Sequence, residues 1–280
     1  MTDSGDDLDQ LLRRAAGFTD RDADDRWQVV AKLHGRTDRF AFEAACRLAV
    51  ADDSSERVLG LDILGQIGYS ADRPFLEETL PILITASSDD RAEVVAASIA
   101  ALGHIGDHRG LPSALRHAGH VCDDIRYSVA VALPAVAGDP PAAQAVEALI
   151  LLSADADPQI RDWATFGLGS QLDVDGERVR DALAARLTDD EGDTAGEALV
   201  GLARRGDQRT LAPLLAWLAA DPGNLIVEAA AELGAAEALP ALLRLKHAGW
   251  QQNDARPSVL DDAIQACSAG METGSQSDLA

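Results

Sequence analysis

Aromatic side chains are nearly absent from this sequence: Phe, Tyr and Trp together make up 4% of it. Sheet sandwiches and barrels build their cores from aromatic and β-branched residues, so the scarcity weighs against both. Ala and Leu fill the apolar positions instead, and both favour helix. Lysine is almost missing too, standing only at Lys32 and Lys246. With 24 basic against 47 acidic residues the formal charge is −23. Such a chain repels nucleic-acid backbones and anionic membrane surfaces, which leaves another protein, with basic proteins favoured by charge, as the expected partner. The Arg-over-Lys and Asp-over-Glu bias also fits a GC-rich genome or a salty cytoplasm. Cys46, Cys122 and Cys267 are odd in number and far apart, which excludes a disulfide framework and points to a reducing compartment. No apolar run reaches the ~18 residues of a membrane span. The opening MTDSGDDLDQ lacks the basic-then-apolar layout of a secretion signal. A cytoplasmic setting is expected.

Catalytic signatures are missing as well. No Gly-x-x-x-x-Gly-Lys phosphate loop, Gly-x-Ser-x-Gly elbow or dinucleotide fingerprint occurs. Neither a cofactor nor an enzymatic activity is expected.

What is present is repetition. Apolar stretches with helical spacing end at Gly68, Gly106, Gly138, Leu172 in the place of a Gly, Gly206 and Gly234. The successive differences between these numbers are 38, 32, 34, 34 and 28 residues. A period in this range is the mark of stacked supersecondary units. Each unit carries two amphipathic segments, and Pro74, Pro112, Pro140 and Pro158 are expected in first helical turns. Asp52-Asp53, Asp89-Asp90, Asp123-Asp124, Asp157, Asp189-Asp190 and Asp221 precede most second helices, where carboxylates cap free N–H groups. Recurrence favours capping over acid–base or calcium chemistry.

The segments 89-DDRAEVVAASIAALGHIGD-107 and 157-DPQIRDWATFGLGSQLD-173 resemble HEAT repeats of the short bacterial type named after phycobilisome (PBS) lyases. The resemblance runs over about residues 37–247 and implies a right-handed α-solenoid of about six helical pairs, with the second helices lining the concave side. The Arg of that pattern stands in register at Arg57, Arg126 and Arg161, while Val95 replaces it in the second unit. An Asp–Arg ladder between repeats would therefore be interrupted. The expected organisation is all-α: an acidic segment and capping helices in 1–36, with Trp27, Val30 and Leu33 on one face; the repeat array in 37–249; and a capping helix and disordered tail in 250–280.

Four of six histidines crowd into 104-HIGDHRGLPSALRHAGHVCDD-124. The repeat frame separates His104 and His108 from His117, His120 and Cys122 by a helix on the order of 15 Å long, so they form no single site. No metal is expected, and His117, His120 and Cys122 are the residual zinc candidates. On the concave side the frame places Tyr127 and Ser128 facing solvent, as it does Asp162, Trp163 and Phe166. Tyr127, Asp162, Trp163 and Phe166, with Val131, Arg126 and Arg161, form the expected partner-binding patch, since aromatic and Arg clusters anchor interfaces. The leading expectation is a non-catalytic scaffold or adaptor. The alternatives are a bilin lyase or isomerase, a HEAT-like metal enzyme, a HEAT-like DNA glycosylase, which the charge opposes, and an inhibitor or immunity-type protein masking a basic partner.

Overall fold

The computed structural model describes residues 3–18, 23–220, 222–250 and 258–277, and every regular element among them is helical. The chain divides into two compact units, Met1–Ala148 and Leu149–Ala280.

The first unit contains α1 (Asp3–Ala16), α2 (Asp24–His34), α3 (Arg39–Ala49), α4 (Ser54–Leu64), α5 (Leu76–Ala86), α6 (Ala92–Ile105), α7 (Leu111–Arg116) and α8 (Asp123–Val136). α9 (Ala143–Leu152) carries the chain into the second unit. There follow α10 (Pro158–Phe166), α11 (Glu177–Arg186), α12 (Gly192–Arg204), α13 (Leu211–Ala219), α14 (Asn224–Leu233), α15 (Leu239–Ala248) and α16 (Val259–Ser277).

Within each unit the helices pair and stack. α3/α4, α5/α6 and α7/α8 are pairs of the first unit, and α4, α6 and α8 pack on one another in a row. In the second, α10, α12, α14 and α16 form the corresponding row, backed by α11, α13 and α15. These row helices hold most of the core. Val94, Val95, Ala97, Ile99, Ala101 and Leu102 of α6 are all buried, as are Ala195, Ala198, Leu199, Val200, Leu202 and Ala203 of α12. Small residues let such backbones approach closely: a Cβ added to Gly201 would lie 2.6 Å from the Cα of Gly169. One helical pair cannot bury its apolar face alone, and stacking completes the core.

The glycine anchors behave as the period predicts: Gly68, Gly106, Gly138, Gly206 and Gly234 all take φ between 58° and 85°. Leu172 does not follow them. A branched side chain is costly in that left-handed region, and the chain instead ends α10 in a π-helical turn, Gly167–Gln171, with Leu172 extended at φ −102°.

Several expectations are corrected. Pro112 and Pro158 stand in first turns, but Pro74 and Pro140 precede α5 and α9, because the turns before those helices are longer than the repeat frame allows. On α2 the buried face is Arg26, Val29, Val30 and Leu33, with Trp27 only half-buried. Arg26 is tolerated there because its Nη2 donates to Asp62 of α4 at 2.7 Å. His34, also on α2, has its pKa lowered to about 4 by burial and by His104. α16 runs to Ser277, past the point at which composition places a disordered tail, since extending a formed helix costs little once it is nucleated. It packs on α14 and α15 in the manner of a further repeat. Asp221, Met1, Thr2 and residues 278–280 lie outside the described residues.

Candidate functional site

The carboxylates before the second helices are largely structural. Asp53 accepts N–H bonds from Ser55 and Glu56, and Asp157 accepts from Gln159 and Ile160. Asp89 and Asp189 accept from the N–H groups of Arg91 and Glu191. The same two residues form ladder rungs, Arg57 Nη1 to Asp89 at 2.9 Å and a two-pronged bond from Arg161 to Asp189 at 2.9 Å. Asp123 and Asp124 instead lie inside the first turn of α8, whose cap position is Cys122. There they meet the positive end of the helix dipole.

A second Asp–Arg device went unnoticed in the sequence. In 106-GDHR-109 and 206-GDQR-209 the Asp accepts the Arg backbone N–H and also holds its guanidinium. Arg109 then reaches Glu77, and Arg209 reaches Asp181, on the preceding helices. These pairs hold Asp107 and Asp207 well below the ordinary carboxylate range. The repetition of Gly-Asp-x-Arg at a step of 100 residues was the available signal.

The histidine corner is similarly occupied. His117 Nε2 is 2.8 Å from the Ser87 carbonyl, and His120 Nδ1 accepts the Cys122 N–H at 3.0 Å. Their rings stand edge to face, with centroids 5.7 Å apart. The residues whose ligand atoms converge with that of Cys122 are Asp123 and Asp124, all within 4.8 Å, and neither histidine joins them.

Of the expected partner-binding residues, Arg126, Tyr127 and Val131 lie on α8 in the first unit, each partly exposed. Ser128 is buried, its hydroxyl donating to the Asp124 carbonyl, because its step along the helix turns it toward the core. Arg126 donates to the carbonyls of His120 and Val121, and Arg161 donates in the same register to those of Asp155 and Ala156. Both arginines therefore clamp the turn before their own helix.

Arg161, Asp162, Trp163 and Phe166 lie on α10 in the second unit. Ile160, Ala164 and Thr165 face the core, so helical spacing turns Asp162, Trp163 and Phe166 to the outer side, where all three are half-buried. Trp163 and Phe166 meet edge to face, with centroids 6.0 Å apart. Alongside, on α12, Thr194 Oγ1 donates to Asp162 at 3.4 Å, and Ser170 Oγ donates to Glu197 at 3.3 Å. Burial, followed by the charge of Asp162, raises the Glu197 pKa to about 7. Burial and Asp193 likewise push Asp162 above its ordinary value. Farther along, Arg204 of α12 pairs with Glu232 of α14 at 3.2 Å.

Below this face lies the π-turn. Arg205, with 7% of its side chain exposed, donates to the carbonyls of Leu168, Gly169, Gly201 and Val174. A cavity of about 420 Å³ opens here, lined by Ser170, Asp173, Arg204 and Arg205 among others.

The Glu197 shift gives a pH signature. Its folded pKa exceeds that of an unfolded Glu, so the native state binds more protons between about pH 4.5 and 7 and loses stability as pH rises through that window. Glu197→Gln is expected to stabilise the protein by about 1–2 kcal/mol above pH 7, after allowing for solvent screening, with the gap closing toward pH 4.5. Thermal melts of both proteins across this range measure the difference, and a pH-independent gap would contradict the assignment.

Residues 145–234 match the family model for HEAT repeats. A stretch of 95 residues is 35% identical to Protein YibA of Escherichia coli strain K12, covering 34% of this chain and 34% of YibA, so the match spans about a third of that relative. The crystal structure of E. coli YibA superposes with a TM-score of 0.67 at 23% identity, covering 92% of this chain and 94% of that one. A Kap95p structure with RanGDP gives a TM-score of 0.63 at 16% identity, covering 93% of this chain and 40% of Kap95p. At these identities the structural likeness establishes the α-solenoid class of fold. No helix among the described residues is long and apolar enough to cross a membrane.

Proposed function

We propose that this chain is a non-catalytic protein-interaction module that holds a partner protein on the outer side of its second helices. The face of α10 and α12 in the second unit, around Asp162, Trp163 and Phe166, is the principal contact. The observation that carries this reading is the Trp163–Phe166 pair, two of only eleven aromatic residues, held half-exposed beside acidic side chains. Large rigid side chains of this kind concentrate binding energy at interfaces. Kap95p, of similar fold, binds RanGDP, and the relation to this chain is one of architecture. Arg126, Tyr127 and Val131 on α8 belong to the same proposal as contacts of the first unit, and the acidity of the chain favours a basic partner. The resemblance to the PBS-lyase subtype rests on sequence motifs and brings no lyase activity into the proposal.

Affinity capture from native extract tests the reading. A protein retained by the wild type should be lost or reduced about tenfold with Trp163→Ala, equivalent to about 1.4 kcal/mol. Equal capture by both proteins, each shown to be folded, would rule the face out.

A further inference from the structure

The partly buried acids of the second unit are answered in two ways. Asp189 is held by Arg161 and Arg186, Asp207 by Arg209, and Glu228 by Arg204, while Asp155 and Asp157 accept backbone N–H groups at the turn before α10. Asp162 and Glu197 differ. Each is half-buried, each receives a hydroxyl hydrogen bond, and no basic side chain among the described residues lies within ion-pair distance of either. The acids of this unit that lack a cation at the surface, such as Asp190 and Glu191, are exposed and hydrated, so they need none. A carboxylate withdrawn from water without a cation costs stability, and two neighbouring ones cost more.

Their surroundings show what fits. Phe166 lies four residues beyond Asp162 on α10, hence one helical turn along the same side, with Trp163 against its edge. Glu197 is near enough to Asp162 and Glu228 to feel the charge of both. The result is an aromatic ledge bordered by under-neutralised acid on the open side of α10 and α12.

We propose that this face seats an arginine from a basic segment of a partner protein, its guanidinium between Asp162 and Glu197 and its stem against Phe166. The proposal rests on the reading of the face as a protein-binding surface. Arginine fits better than lysine, because a planar guanidinium bonds carboxylates in a fork and stacks on aromatic rings. Binding supplies the charge that the fold withholds. It also couples to protons. Glu197 faces Asp162 from α10, Glu228 from α14, Arg204 on its own helix and the Ser170 hydroxyl from the π-turn. Asp193 adds its charge at Asp162. Burial, with Asp162 and Glu228 against one arginine, leaves Glu197 carrying a proton part of the time near neutrality. A bound guanidinium expels it, so affinity rises as pH rises.

The test is calorimetric titration of the full chain, at near-physiological salt, with an eight-residue peptide of alternating arginine and alanine. The citrulline version of the peptide serves as the uncharged control. The wild type should prefer the arginine peptide, and Asp162→Asn with Glu197→Gln should weaken binding about tenfold or more. Asp123→Asn with Asp124→Asn removes the same charge from α8 and should change binding less than about twofold. Wild-type affinity should rise from about pH 6 to pH 8, and Glu197→Gln alone should flatten that rise. Equal losses in the two double variants would show diffuse attraction and overturn the proposal, as would failure to discriminate arginine from citrulline. If the peptide fails while capture still depends on Trp163, the arginine seat falls and the protein-binding face stands. If capture ignores Trp163, the face itself falls.

Discussion

Arg205→Met is expected to destabilise the protein by about 3–5 kcal/mol, the scale of losing several charge-assisted hydrogen bonds at a buried site. The cause begins at Leu172, which stands where other repeats place a glycine. Without a left-handed residue to end it, α10 widens into the π-turn and leaves carbonyls pointing inward. The guanidinium of Arg205 answers those of Leu168, Gly169 and Val174, and also takes that of Gly201 on its own helix. Met preserves most of the stem volume while removing all these donors. A loss of this size lowers the melting temperature by about 10 °C in a chain of such length. Denaturant titration measures it, and a change below about 1 kcal/mol would show that water replaces the guanidinium without cost. Arg205→Lys restores a charge but not a fork of donors, and should recover only part of the loss.

Asp62→Ala should cost a similar amount, about 3–5 kcal/mol, by removing the carboxylate that the buried Arg26 guanidinium meets on α4. The side chains of this pair are 5% and 3% exposed and their atoms 2.7 Å apart. The pair is nonetheless not the source of the first unit's stability in itself. Replacing both members, Arg26→Met with Asp62→Leu, should restore most of what Asp62→Ala removes, because the desolvation of two ions disappears together with their attraction. A double-mutant cycle separates the two effects. If the double replacement is as unstable as the single one, packing at Asp62 rather than charge is responsible.

The repeat and the site were legible to different degrees. Gly68, Gly106 and Gly138 announced their turns, because a positive φ is a local demand that one residue type meets. Leu172 announced a break, but not what filled it: the filler, Arg205, lies 33 residues on, within an Arg-Arg pair that has no local distinction. Helical spacing puts Trp163 and Phe166 facing solvent, and both are half-buried, whereas Ser128, expected on the same side, is buried, since one step around a helix separates surface from core. Arg126 and Arg161 stood in the expected register; each also clamps the turn before its own helix, and Arg161 forms the ladder rung to Asp189 as well. Glu197 gave no signal at all. Its environment is set by Asp162, 35 residues earlier, and Glu228, 31 residues later, and only stacking of the repeats brings such charges together.

The most direct measurement of the central claim is site-specific photo-crosslinking in the native host. A photoreactive phenylalanine analogue at position 166 probes the proposed face, and the same analogue at position 40 probes α3, where Phe40 is 78% exposed. The protein-binding account predicts one defined protein adduct from position 166, diminished by Trp163→Ala and absent from position 40. Adducts of equal yield and identity from both positions, or none from 166, would contradict it.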